Sequence, residues 1–180
     1  MRISVFGGST PKPQEPAYQE AYKLGQLIAE AGHTVLTGGY IGTMEAVSRG
    51  AAEAGGHVIG VTCDEIESWR AIGPNPWVKE EIRLPTLKDR VDKLISVCDA
   101  ALALPGGVGT LVEIAVMWNL MQTQVITTRP LILIGPGWEK TFRLWIEAHA
   151  TYIPSAHHQL ISFAPDVESA FNLLITLIKS

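Results

Sequence analysis

Cysteine is scarce in this chain: its 180 residues include two, Cys63 and Cys98. They lie too far apart to form the short paired spacings of metal or redox motifs. They read as small core or strand-end residues in a reducing compartment, so a cytoplasmic location is expected. No apolar run reaches the ~18–20 residues that a membrane helix needs. Positive charge is not in excess either: 14 Lys and Arg face 18 Asp and Glu, for a net charge of −4. That balance argues against broad nucleic-acid or membrane surfaces. The first six residues read as a strand entering a glycine turn, not as a signal peptide. His33, His57, His149, His157 and His158 show no ligand spacing, so no metal is expected. Linkers, low-complexity tracts and repeat arrays are also missing, so residues 1–180 are expected to form one domain.

What the chain does have is short apolar runs, three of which end in glycine-rich loops. Residues 2–6, 33–37, 57–62, 100–104, 131–134 and 160–163 read as strands, with one more short strand at 81–84. Helical patterns separate them at 17–31, 43–54, 87–97, 111–121, 138–148 and 166–179. Gly32 stops the first of these helices and Thr86 caps the third. In the helix at 138–148, Phe142, Trp145 and Ile146 are expected to face inward. Residues 63–85 form the least regular stretch, read as a surface excursion. This alternation predicts a Rossmann-like, doubly wound α/β domain with a mainly parallel sheet and helices on both faces. Ligands in such folds bind beyond the carboxyl ends of the strands, where strand order reverses. Loops at Gly7-Gly8-Ser9, Gly38 to Gly42, and Gly106 to Gly109 should meet there.

The chain is organised around Leu104-Pro105-Gly106-Gly107-Val108-Gly109-Thr110-Leu111-Val112-Glu113. A buried strand feeds a glycine loop, which feeds a helix start. That arrangement aims bare backbone N–H groups and a helix dipole at one point, where an anion such as phosphate can sit. A tight strand-to-helix turn is the plainer alternative. The loop is not a Walker A loop, because no Lys follows its last Gly, and Gly-x-Gly-x-x-Gly is absent. Glu113 is the only formal charge between Ala100 and Thr128. A first-turn glutamate is often just a favourable dipole partner. Here its helix is apolar all round, which points to a working carboxylate and to a helix central to the fold or in a subunit interface. Arg90, in Lys88-Asp89-Arg90-Val91-Asp92-Lys93, reads from its residues alone as part of a solvated helix face.

Pro105-Gly106-Gly107-Val108-Gly109-Thr110-Leu111-Val112-Glu113 resembles Pro-Gly-Gly-x-Gly-Thr-x-x-Glu, the signature of the LONELY GUY (LOG) family, long mislabelled as lysine decarboxylases. The loops at Gly7 and Gly38 fit as well. The resemblance implies a phosphoribohydrolase that cuts the N-glycosidic bond of an AMP-like or N6-modified adenine nucleotide. It implies no cofactor or metal, and a homodimer or larger homo-oligomer. By position it makes Glu113 the catalytic glutamate and Arg90 its catalytic partner. It assigns substrate and phosphate binding to Gly8, Ser9, Gly38, Gly39, Gly42, Thr43, Pro105, Gly106, Gly107, Gly109 and Thr110. Leu87, Lys88 and Val91 depart from the family's Met-His-x-Arg-Lys, Val112 replaces a frequent Glu, and Glu45 stands where a Gly is usual. Glu45 is expected to put a second carboxylate beside the pocket. Those departures leave open a carrier that binds a nucleotide or a phosphate-bearing cofactor without turning it over. No Lys flanks any of the three loops, which ranks decarboxylation last.

Overall fold

The computed structural model describes residues 1–179, so Ser180, the last residue of the expected single domain, lies outside the described residues. Seven strands form one all-parallel sheet in the order β4-β3-β2-β1-β5-β6-β7. They are β1 (Arg2–Phe6), β2 (Thr34–Thr37), β3 (Val58–Cys63), β4 (Glu80–Leu84), β5 (Ala100–Ala103), β6 (Leu131–Ile134) and β7 (Ser162–Ala164). The helices are α1 (Pro16–Glu30), α2 (Thr43–Glu53), α3 (Asp64–Trp69), α4 (Leu87–Ser96), α5 (Val108–Gln122), α6 (Pro136–Ala148), α7 (Ser155–His158) and α8 (Val167–Leu177). None is long and apolar enough to cross a membrane among the described residues.

Strands β3, β5 and β6 are buried at every position, as continuous apolar runs covered on both faces must be. One face packs Leu24 and Ile28 of α1, Val47 of α2 and Leu174 of α8 onto the sheet. The other packs Leu94 of α4, Met117 of α5 and Phe142 of α6. The outer strands differ from the inner ones. β4 carries exposed Glu80, Glu81 and Arg83, and β7 is three residues long.

The chain fills one side of β1 with β2, β3 and β4, then crosses to its other side with β5. Strand order therefore reverses between β1 and β5. The loops leaving those two strands are Gly7-Gly8-Ser9 and Pro105 to Gly107.

Several expectations need correction. The stretch at 63–85 contains α3, whose segment Asp-Glu-Ile-Glu-Ser-Trp buries no residue and so shows no apolar stripe. The four-residue α7 was also not anticipated, and β7 begins two residues later than expected. Trp145 is half exposed rather than inward-facing, whereas Phe142 is buried. Helix α5 starts at Val108, which puts Gly109 and Thr110 inside its first turn. Its inner side, Ile114, Met117, Trp118 and Met121, is buried, while Val108, Leu111 and Val112 are exposed.

Helices α1 and α2 approach through glycine notches. A Cβ at Gly25 would overlap the Val47 carbonyl oxygen, and one at Gly50 would overlap that of Tyr22. Gly25→Ala gains up to about 1 kcal/mol in helix propensity, but overpacking costs about 1–3 kcal/mol. The substitution should therefore lower the urea midpoint with an unchanged m-value. An equal or higher midpoint would show that the helices can part freely.

Candidate active site

Gly8 joins the three glycine loops. Its N–H donates to the Pro105 carbonyl at 3.2 Å, and its own carbonyl accepts from the Thr43 N–H at 2.9 Å and the Thr43 hydroxyl at 3.0 Å. Gly42 makes the approach possible. Its φ is +74°, and a Cβ there would lie 2.6 Å from the Gly8 carbonyl oxygen. Helix α5 opens from Gly107 with no side-chain cap. The N–H groups of Val108, Gly109 and Thr110 belong to its first turn, where a helix supplies no acceptor.

Beside this helix end lies a pocket of about 440 Å³, within the ~300–1,000 Å³ range of small-molecule sites. Gly7 to Thr10 and Gly107 to Thr110 line one wall; Ile66, Trp69, Arg70, Ile72 and Leu87 line the other; Tyr40, Met44, Arg90 and Glu113 complete it. Gly8, Ser9, Gly107, Gly109 and Thr110 therefore face the pocket directly. Pro105, Gly106, Gly38, Gly39, Gly42 and Thr43 are not among its lining residues and shape it from behind.

Glu113 sits one turn into α5, 8% exposed. Burial pushes its carboxyl up from the ordinary value of 4.5 to about 7, and the Arg90 guanidinium only partly opposes that rise. Arg90 Nη1 stands 3.8 Å from Glu113 Oε1, an ion-pair distance too long for a hydrogen bond. The guanidinium cannot close the gap freely. Its Nε donates to the Val61 carbonyl at 2.8 Å and its Nη2 to the Gly38 carbonyl at 3.1 Å. Nη2 also lies 3.7 Å from Met44 Sδ, and the guanidinium covers the Tyr40 ring, 5.6 Å from its centroid. A Cβ at Gly38 would collide with Nη2, so this glycine is the seat of Arg90.

Arg90 is 6% exposed, which overturns its residue-only reading as a solvated surface charge. The missed signal is periodicity. Within α4, Arg90 shares the inner stripe with Val91, Leu94 and Ile95, while Lys88, Asp89 and Asp92 point outward. Glu45 also departs from expectation. It is absent from the pocket lining and accepts the Tyr18 hydroxyl at 3.0 Å. Glu45 follows Thr43 by two positions, whereas Glu113 follows Thr110 by three. One residue of helix turns a side chain about 100°, enough to aim Glu45 away. Lys88 is exposed outside the pocket, and Val91 packs in the core. Sequence reasoning passed over Tyr40, Met44, Trp69 and Arg70 as pocket residues. The exposed Trp69-Arg70 pair in an otherwise polar segment was the available sign.

The raised carboxyl has a measurable sign. Folding favours protonated Glu113, while the unfolded chain returns it to about 4.3. Stability contributed by this group is thus full at low pH and falls as pH rises through 7. Glu113→Gln removes that dependence. Relative to the parent, its unfolding free energy should improve by roughly 2–3 kcal/mol between pH 5 and pH 8. A difference that stays flat across this range would show that the carboxyl is not held protonated.

The profile of the SLOG cluster4 family matches residues 1–150. A probable cytokinin riboside 5′-monophosphate phosphoribohydrolase from Oryza sativa subsp. japonica is 30% identical over 179 residues, covering 96% of this chain and 77% of that protein. Among solved structures, the molybdenum cofactor binding protein from Rippkaea orientalis superposes with a TM-score of 0.76 at 27% identity, over 98% of this chain and 96% of that one. The molybdenum cofactor carrier protein from Chlamydomonas reinhardtii gives 0.75 at 26% identity, over 99% and 98%.

Proposed function

The chain belongs to the SLOG cluster4 family, and from that premise we propose that it is a nucleoside 5′-monophosphate phosphoribohydrolase. It would act on AMP or an N6-modified adenine nucleotide and release the free base and ribose 5-phosphate. The observation that carries this reading is a buried carboxyl with a pKa of about 7, one turn inside an uncapped helix start. Such a group exchanges its proton near neutral pH, as a general base must.

In this mechanism the first-turn amides of α5, with Gly8 and Ser9, hold the 5′-phosphate. Arg90 stabilises ionised Glu113 and lies beside the sugar. Ionised Glu113 takes a proton from a water that forms the new C1′–O bond. The C1′–N bond breaks, its electron pair leaves with the base, and the proton passes on to the departing nitrogen. Glu113 also offsets positive charge as the ribosyl centre becomes oxocarbenium-like. No step draws on a metal or organic cofactor.

Hydrolysis of AMP, followed as free adenine, should fall about 10²–10³-fold in Glu113→Gln, while AMP affinity stays within a few-fold. The parent's kcat/KM should climb with pH through about 7. A variant as fast as the parent would end this reading. A carrier of a phosphate-bearing cofactor is the second reading, supported by the two solved structures and by Leu87, Lys88 and Val91. It requires that no nucleoside monophosphate in a panel yields free base.

We also propose that two copies pair through α5 and α6. Exposed Leu111 and Trp145, with Ala115, Trp118, Phe142 and Ile153, line a mostly apolar groove of about 460 Å³, and Val108, Val112 and Leu144 are further exposed apolar residues of the same two helices. Patches of this kind mark association surfaces. Val108, about one turn before Leu111 on α5, lines the nucleotide pocket, so the interface would adjoin the site. Light scattering should give a dimer mass or a multiple of it, and Leu111→Glu should give monomer. A monomeric parent would refute the pairing.

A further inference from the structure

The wall opposite the glycine loops has a different chemical character. Ile66, Trp69, Ile72 and Leu87 make it apolar, and Trp69 is 76% exposed. An indole this open contributes little to the core. The helix that carries it is nevertheless held firmly in place. Arg83 pairs with Asp64 at 2.7 Å and with Glu67 at 2.8 Å, the Leu87 N–H donates to Glu65 at 2.7 Å, and the Tyr40 hydroxyl reaches Glu67 at 3.3 Å. Past the helix, Asn75 ties the following loop to the Gly39 and Tyr40 carbonyls through its side-chain amide at 3.0 and 2.9 Å. The ring itself is braced by Arg70, whose guanidinium stacks 4.7 Å from its centroid. Among the described residues Arg70 enters no ion pair.

A tethered helix that ends in a braced, open aromatic ring, across a pocket from a phosphate-type cradle, suits a ligand with an anionic end and a flat aromatic end. We propose that Trp69, backed by Arg70, is the base-stacking platform of this site and gives it a preference for purine over pyrimidine nucleotides. This rests on the reading of the pocket as a nucleotide site. Arg70 lies over the ring, and the high exposure of the indole leaves ring surface available to the base. A purine offers the larger stacking surface, so it gains more from the indole than a pyrimidine does.

The test measures binding of AMP, CMP and ribose 5-phosphate by calorimetry in the Glu113→Gln background, where turnover does not interfere. Trp69→Ala should weaken AMP roughly tenfold and CMP less, leave ribose 5-phosphate within about twofold, and keep the thermal midpoint unchanged. Trp69→Phe should restore most of the AMP affinity. Unchanged AMP affinity in Trp69→Ala overturns the platform while leaving the hydrolase reading intact. So does an equal loss for AMP and ribose 5-phosphate, which would mean the variant damages the cradle. If AMP does not bind before Trp69 is changed, the nucleotide reading falls and the platform falls with it.

Discussion

Arg90 faces Glu113 across 3.8 Å inside the protein, and two backbone carbonyls keep it from moving closer. A free guanidinium would close on the carboxylate with two short parallel bonds and hold it ionised. Here one nitrogen is committed to Val61 and another to Gly38, so only Nη1 faces the acid. Burial then outweighs attraction, and the carboxyl rises to about 7. A tighter pair would leave a permanent anion, and no pair at all would leave an acid too hard to ionise. The spacing holds the group between those extremes.

That spacing depends on parts remote in sequence. β2 and β3 must lie side by side so that the carbonyls after β2 and within β3 converge on one guanidinium. α4 must present Arg90 on its inner stripe, and position 38 must lack a side chain. α5 must enter the fold at the strand-order reversal so that Glu113 lies beneath its open first turn. The Gly8 bonds to Pro105 and Thr43 tie these loops together. The eleven residues expected to bind phosphate, seven of them glycines, therefore fall into two groups, five at the pocket surface and six behind it as scaffold. That division arises because close backbone approach, as well as ligand contact, demands glycine.

Much of this was legible in the sequence. The inner strands announce themselves because a doubly covered parallel strand is an unbroken apolar run, as in Leu131-Ile132-Leu133-Ile134 between Pro130 and Gly135. The acid was legible too, as a lone charge in an apolar helix. Less legible were features that depend on tertiary contacts. α3 buries none of its residues and is held by salt bridges from Arg83, so no periodicity marks it. Arg90 was masked by alternating charges on either side, though the spacing to Leu94 carried its burial. Glu45 seemed a threat to the pocket because sequence alignment of two similar turns hides a one-residue difference in helical phase.

The two margins of the sheet also bear on how the molecule behaves among its own copies. An open strand is a template for another chain, and proteins guard against it with charge or brevity. β4 presents Glu80, Glu81 and Arg83, and β7 is three residues long. Backbone-to-backbone growth from either margin is thereby discouraged. Under the proposed pairing through α5 and α6, contacts between copies would use side chains on helices and leave both margins of the sheet free.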